Sequence, residues 1–351
     1  MTLFFLIIFL IVVDFAYGST VAVCIGGQTA RMLPSLLSPL FQDNSELQFK
    51  LFYTLQSSNN HDVRYWSDRS YTYEPSKYGK MDRSEILSSL MVEYKNLTNI
   101  EIGAVEMIQG LSAEEWSSQH FNNKSLSVVR FPMSMPEIVL NMFQKQNTCA
   151  DQILQYEAKH SLKLDYVFWA REDLHLYNAM KLSNLAAYLQ GSASVPNTVS
   201  ATGGACQVIT RSCLTHGGVA LRGYFWTRKV ALPVMQGRFD FYRKMQSANT
   251  SFVTVEEFER DYLASLSAIV CPVEVDHFPT VAVRHVKNGD FCIPPMEVAK
   301  GCYPMGAQSY VQHKRCHRNA DAVAAATLQE NTYVAVILTL LLLYTVVCLL
   351  T

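Results

Sequence analysis

Three charged residues directly follow an apolar run in the middle of the chain. The run Tyr166–Ala170 reads YVFWA, and Arg171, Glu172 and Asp173 come next. Carboxylates at the end of a strand can supply the oxygen ligands that Mg²⁺ or Mn²⁺ prefers, and such an ion can bridge a diphosphate. Arg171 would bind phosphate oxygens or orient Asp173. The alternative is structural: the carboxylates would cap a following helix and pair with Arg171.

Two glycines near the start of the chain could border the same ligand. Thr20–Ile25 reads TVAVCI, a run typical of a strand buried on both faces, and Gly26 and Gly27 follow it. We expect the glycines to end the strand and to leave backbone room for a phosphate, whose charge Arg31 would meet. The alternatives are a simple tight turn and a solvated arginine in the first turn of a helix.

Strand and helix patterns alternate along the body of the chain. Further strands are predicted at 47–55, 100–108, 165–170, 206–210 and 218–226, and helices at 82–94, 136–160, 183–190, 228–245 and 255–266. This alternation predicts an α/β fold with a mostly parallel central sheet, helices on both faces and a loop-rich, disulfide-containing C-terminal part. In such sheets ligands bind beyond the carboxyl ends of the strands. The glycines and the charged triplet would therefore share one crevice.

The composition argues against a nucleic-acid partner. The chain has 351 residues, of which 17% are charged and 49% hydrophobic, and its formal net charge is -1. A nearly neutral chain has no global basic field that would attract a polyanion or an anionic membrane surface. The length suits one large domain or two small ones, with a core large enough for independent stability.

Both ends of the sequence are apolar and indicate targeting to a membrane system. Residues 1–18 have the pattern of a secretory signal peptide, with an apolar run at Leu3–Val13; an uncleaved signal anchor is the alternative. The charge-free run Tyr333–Leu350 predicts a single C-terminal transmembrane helix or a removable glycolipid-anchor signal, and a cytosolic tail anchor is a third interpretation. We expect a lumenal or extracellular domain at 19–318 and a stalk at 319–332. The location would be the membrane of the Golgi or endoplasmic reticulum, or the cell surface.

Nine cysteines and three glycosylation sequons fit this location. The seven cysteines between positions 149 and 316 are expected to pair in an oxidising lumen. Cys24, in a predicted central strand, could be a free thiol, and the spacing of Cys292 and Cys302 suits a local bridge. The CxxC spacing of a zinc site does not occur. The sequons begin at Asn96, Asn123 and Asn249.

Two distant strings, VAVCIGGQTAR and LDYVFWAREDLHL, resemble the glycosyltransferase-A superfamily. They are most similar to eukaryotic glycosyltransferase-like proteins, algal and protist members among them, that open with a strand–G–Q–x–R element. In those proteins a long helix ending near a Glu precedes a YD-x-V-x-x-x-R-x-D strand, and here Gln152–His160 supplies the helix end. The later strings GVALRGYFWTRKVA, CPVEV and RHVKNGDFCIPP are also similar, so the likeness spans Thr20 to Cys302.

The resemblance implies a reaction and a set of ligands. The protein would transfer a sugar from a nucleotide-sugar donor to a glycan or glycoprotein. Glu172 and Asp173 would bind a divalent metal (Mn²⁺ or Mg²⁺) beside the donor diphosphate, and His285 would complete the metal shell. The usual D-x-D of metal-dependent members is R-E-D in this chain. The residues bordering the donor would be Gly26, Gly27, Arg31 and Arg171.

If the protein is a glycosyltransferase, we expect carboxylates to be its catalytic residues. Asp173 and Asp240 are the candidate catalytic residues, and Asp240 and Glu256 are candidate bases for an inverting transfer. A function of a different class is also open at this point. The protein could be a non-catalytic, membrane-anchored surface protein that keeps the same fold, lacks the metal and binds glycans.

Overall fold

A seven-stranded sheet forms the centre of the described part of the protein. The structure is a computed structural model, and it describes residues 18–57, 75–122, 124–129, 136–192, 205–213, 219, 223–285, 291–293, 302 and 314–315. The strands of this sheet are β1 (Thr20–Gln28), β2 (Gln48–Gln56), β3 (Ile100–Ile108), β4 (Tyr166–Arg171), β6 (Val208–Arg211), β7 (Gly223–Thr227) and β8 (Val270–Val273). The strands of two smaller sheets are β5 (Leu174–Leu176) with β9 (Thr280–Ala282), and β10 (Arg284–His285) with β11 (Phe291–Ile293) and β12 (Lys314–Arg315).

The seven strands follow the spatial order β3-β2-β1-β4-β7-β6-β8. Strands β3, β2, β1 and β4 are parallel neighbours, and β8 is parallel to β6. Strand β7 is antiparallel to both β4 and β6. Fewer than a dozen residues separate Arg211 from Gly223, which is too short for the crossover that parallel neighbours need. The predicted mostly parallel sheet is confirmed, with β7 as the exception.

Helices cover both faces of this sheet, as predicted. They are α1 (Ser38–Asp43), α2 (Arg83–Glu93), α3 (Ala113–His120), α4 (Pro136–His160), α5 (Leu182–Leu189), α6 (Arg228–Ser247) and α7 (Val255–Ser265). In β1, Val21, Val23 and Ile25 pack with α1, α2 and α5, whereas Ala22 and Cys24 pack with the other four helices. Burial on both faces explains why β1 reads as an uninterrupted apolar run.

Two disulfide bonds link elements that are distant in the sequence. Cys24 of β1 is bonded to Cys149 of α4, and Cys206 is bonded to Cys271 of β8. The expectation that Cys24 could be a free thiol is therefore wrong. Its side chain points to the face that α4 covers, and the two Cα atoms lie 6.0 Å apart, within bonding range. Which helix covers which strand cannot be read from local sequence patterns.

The local bridge expected between Cys292 and Cys302 is also absent. Cys292 is disulfide-bonded, but its partner is not Cys302. Cys292 lies in β11, between the neighbouring strands β10 and β12. Cys302 belongs to neither of these neighbouring strands, so its proximity to Cys292 in the sequence was a poor guide to the disulfide.

The predicted membrane-targeting segments fall almost entirely outside the described residues. Apart from Gly18, this applies to the signal peptide (1–18), the stalk (319–332) and the C-terminal apolar run (333–350). Within the described ranges, no helix has the length and apolar character needed to cross a bilayer. These segments and the domain limits stay predictions.

Two of the three sequons lie on exposed turns. Asn96 follows α2 and Asn249 follows α6, and both side chains are exposed, whereas Asn123 lies outside the described residues. We expect both exposed asparagines to carry glycans when the protein is expressed through a secretory pathway. Asn96→Gln and Asn249→Gln should each increase electrophoretic mobility, and peptide-N-glycosidase should abolish the difference. Asn122→Gln, an exposed position outside any sequon, is the control; unchanged mobility of both sequon variants would contradict the prediction.

Candidate functional site

The strand order changes direction between β1 and β4. From β1 the chain proceeds outward to β2 and β3, and it then returns to the other side of β1 as β4. In open α/β sheets such a switch point opens a crevice beyond the carboxyl ends of the two strands. Gly26 of β1 is paired with Arg171 of β4 at this edge. The structure thus brings together the glycines and the charged triplet.

Gly26 and Gly27 lie within β1, so the prediction that they end the strand is wrong. The parallel ladder with β2 continues to Gln28. A Cβ added to Gly26 would lie 2.2 Å from the ring of Trp169, and one added to Gly27 would lie 1.9 Å from the carboxylate of Glu172. The room that we expected for a phosphate is therefore filled by these two side chains.

Glu172 is buried against the chain that follows β1. Its N–H donates to the carbonyl of Gly26 (3.3 Å), and its own carbonyl accepts from the N–H of Leu33 (3.2 Å). Its carboxylate forms an ion pair with Arg31, which ends a short 3-10 helix. The Glu172 side chain is 1% exposed and that of Arg31 is 16% exposed. The carboxylate therefore lies behind the guanidinium group.

Asp173 repeats this arrangement with Arg171. The Arg171 Nη2 atom donates to Asp173 Oδ2 over 2.9 Å, and the two side chains are 25% and 1% exposed. The carbonyl of Asp173 accepts from the N–H of Val283 (3.0 Å). Strand β5 follows Asp173, so the alternative in which the carboxylates cap a helix is wrong. The pairing with Arg171 is confirmed for Asp173, but Glu172 pairs with Arg31 instead.

In their observed arrangement, the described side chains at this edge of the sheet do not form a binding site for a divalent metal ion. Glu172 and Asp173 are each neutralised by an arginine, which a cation would have to displace. Among the residues whose side chains are described, no group of three His, Cys, Asp or Glu is placed to hold a metal. The backbone of His285 follows Val283 by two residues and is thus near Asp173, but its side chain is outside the description. The metal and the role of His285 stay predictions.

A lysine that no sequence motif indicated lies at the same edge of the sheet. Lys145 of α4 is 8% exposed, and its Nζ donates to the Oε1 of Gln56, the last residue of β2, over 3.0 Å. Burial lowers the pKa of Lys145 to about 8; Glu172 opposes this shift, and Arg31 and Arg171 add to it by repulsion. The guanidinium groups and this ammonium therefore act on one another electrostatically.

The direction of α4 explains why Lys145 reaches this edge. Gln152 donates to the carbonyl of Tyr53 (3.3 Å), whereas Lys145 donates to Gln56, further along β2. Residue numbers fall along α4 as they rise along β2, so the helix runs antiparallel to the strand. Its amino-terminal half consequently lies at the carboxyl ends of the strands, where the crevice is.

Gln146, beside Lys145, is a second polar residue that no sequence motif indicated. It is fully buried, and neither side-chain amide atom has a hydrogen-bond partner among the described residues. The ring of Trp169 lies against Gly26, and its Nε1 is likewise buried without a hydrogen-bond partner among the described residues. Buried polar groups without a partner are rare in folded proteins. A sequence signal existed: Gln146 occupies the apolar spacing of α4, three residues after Phe143 and three before Cys149.

Asp240 is placed on the outer surface of α6. Its side chain is 82% exposed, and its Oδ1 accepts from Arg243 Nη1 over 2.8 Å. Glu256 lies in the first turn of α7. The ion pair of Asp240 is thus with a helix neighbour and not with the charged triplet, and the catalytic role proposed for it stays a prediction.

Comparisons with solved structures return 96 similar chains. No protein-family model matches the chain, and no curated protein matches it. Among similar solved structures are two of the glycosyltransferase GlyE of Streptococcus pneumoniae TIGR4, one of them the apo-form. Their identities are 11% and 14%, their TM-scores 0.37 and 0.34, and each alignment covers 73% of this chain. The chain spans 45% of the length of each GlyE chain. These neighbours of the chain are glycosyltransferases.

Proposed function

We propose that the protein binds a nucleoside diphosphate sugar at the crevice between β1 and β4 and transfers the sugar to a hydroxyl group of a glycan or glycoprotein. One observation carries the proposal: two buried carboxylates hold two partly exposed arginine side chains at the switch point of the sheet. Each guanidinium is a planar fork of five N–H donors. This geometry suits the oxygens of a diphosphate. The motif resemblance supports the same ligand.

The proposed reaction exchanges one bond at the sugar. The bond between the anomeric carbon and the diphosphate oxygen breaks, and its electron pair leaves with the nucleoside diphosphate. The acceptor oxygen bonds to the anomeric carbon, and overall the acceptor proton is passed to the diphosphate. Arg31 and Arg171 would stabilise the negative charge that develops on this leaving group. Glu172 and Asp173 would position the arginines, a role different from the metal binding that the resemblance implies.

The disulfide bonds support a location in an oxidising compartment. Cys24–Cys149 and Cys206–Cys271 are buried bonds of the kind that persists in secreted and lumenal proteins. We propose that the protein resides in the secretory pathway or at the cell surface. The C-terminal apolar run would attach it to the membrane.

Nucleotide titration tests the proposed function. By calorimetry, the purified protein should bind at least one of UDP, GDP and their sugar conjugates, and Arg171→Met should weaken that binding about 10-fold to 100-fold. The reason is that a hydrogen bond to a charged group contributes about 1.5–3 kcal/mol. Arg243→Met, on the exposed surface of α6, is the control and should bind normally.

A double variant keeps this test valid if Arg171→Met fails to fold. Arg171→Met with Asp173→Asn removes both charges, so no buried carboxylate is left unpaired. Titrations with and without Mn²⁺ examine the predicted metal in the same experiment. Absence of binding for every nucleotide under both conditions would overturn the proposal. Nucleotide binding without transfer or donor hydrolysis would favour the non-catalytic, glycan-binding alternative.

A further inference from the structure

Lys145 is a buried cation whose hydrogen-bond partner is neutral. Its Nζ donates to the amide oxygen of Gln56, and the carboxylates nearest to the crevice, Glu172 and Asp173, form their ion pairs with arginines. Among the described residues, no carboxylate forms an ion pair with Lys145. A buried ammonium without an opposite charge is costly, and long apolar side chains would fill the same space more favourably. A buried charge that destabilises the fold and lies at a crevice indicates a functional residue.

The surroundings of Lys145 indicate an anionic ligand. Arg31, Arg171 and Lys145 bring three positive charges to this edge of the sheet, against the two negative charges of Glu172 and Asp173. The excess charge is positive and lies at the carboxyl ends of parallel strands, where ligands bind. An ammonium on a four-carbon stem can turn from one oxygen acceptor to another with little strain. A phosphate oxygen could therefore replace the Gln56 oxygen as its partner.

We propose that Lys145 is a third phosphate-binding residue of the crevice, which exchanges Gln56 for a phosphate group of a nucleoside diphosphate. The inference rests on the proposed function and extends it, because no sequence motif assigns a ligand contact to α4. In this arrangement Arg31 and Arg171 contact the diphosphate from the β1 and β4 side, and Lys145 contacts it from the helix side. The helix thus forms the second wall of the site.

Affinity labelling of the unmodified protein provides the first test. Pyridoxal 5′-phosphate carries both a phosphate and an aldehyde; the aldehyde condenses with a lysine amine to an imine with loss of water. Borohydride then adds hydride to the imine carbon, and a solvent proton completes a stable secondary amine. Mass spectrometry should find Lys145 labelled, and UDP or inorganic pyrophosphate should protect it. The exposed Lys95 should be labelled equally with and without these ligands.

Substitution provides the second test. Lys145→Met should weaken UDP binding about 10-fold or more, Lys145→Arg should restore part of the loss, and Lys95→Met should change nothing. A purely structural lysine would alter thermal stability but leave the affinity of the folded variant unchanged. If the protein binds UDP and Lys145→Met binds equally well, the inference is overturned and the proposed function stands.

The labelling separates the remaining outcomes. If no nucleotide binds but pyrophosphate protects Lys145 from the label, the phosphate contact is supported and the proposed function fails. If Lys145 is not labelled, or if neither UDP nor pyrophosphate protects it, the inference is wrong. These readings do not require that any variant folds.

Discussion

Glu259→Gln should lower the free energy of unfolding by about 3–5 kcal/mol, because it leaves Arg238 with an uncompensated charge in the protein interior. Both side chains are 0% exposed, and Arg238 Nε donates to Glu259 Oε2 over 3.0 Å. Arg238 also donates to the carbonyl of Val234 (2.8 Å) and lies over the ring of Tyr262, 5.5 Å from its centroid. Chemical denaturation followed by circular dichroism would measure the loss.

An exposed ion pair on the same helix provides the matched control. Asp240 and Arg243 are joined in α6, but their side chains are 82% and 48% exposed. Asp240→Asn should therefore cost less than about 1 kcal/mol. Arg238→Met combined with Glu259→Leu should recover much of the lost stability, because neither charge remains buried. An equally small effect of Glu259→Gln and Asp240→Asn would contradict the assignment of a dry, buried pair.

Removal of the bond between Cys24 and Cys149 should reduce both stability and nucleotide binding. Cys24→Ala with Cys149→Ala is expected to cost about 2–5 kcal/mol, because the bond constrains a loop of sequence separation 125 in the unfolded chain. Cys149 lies one helical turn after Lys145, and Cys24 lies two residues before Gly26. The bond therefore fixes the two walls of the proposed site relative to each other.

The second disulfide separates these two effects. Cys206→Ala with Cys271→Ala removes the bond between the start of β6 and β8, away from the switch point of the sheet. This variant should also lose stability, but it should retain its affinity for UDP when measured below its unfolding temperature. If both double variants bind UDP like the unmodified protein, α4 is held in place by packing alone, and the positioning role of Cys24–Cys149 is refuted.

Local patterns predicted many elements well. The strand at Ile100–Ile108 and the helix at Pro136–His160 have the predicted limits, and a capping box of Asp82 and Glu85 begins α2 near the predicted start. These elements are specified by features that lie close together in the sequence, namely a capping box, an apolar helical period or a run of β-branched residues. Strand β5 was missed because Leu174–Leu176 forms its ladder with β9, a hundred residues later.

The candidate site was predicted only in part, for a related reason. The sequence placed Arg171, Glu172 and Asp173 at the end of a strand, but it did not show that each carboxylate faces an arginine. Arg31 reaches Glu172 only because β1 and β4 are neighbours. Lys145 enters the site because α4 runs antiparallel to β2. The missed local signal was a polar residue, Gln146, within the apolar period of a long helix.

The bond between Cys24 and Cys149 also has a consequence for the order of biosynthesis. In the sequence, the first cysteine after Cys24 is Cys149, and the next is Cys206. A chain emerging into an oxidising lumen would therefore complete β1, β2, β3 and α4 before Cys24 met any partner except its native one. The amino-terminal half could be locked by its own bond during translation. Competition between cysteines would begin only afterwards, in the half that supplies β6, β7 and β8.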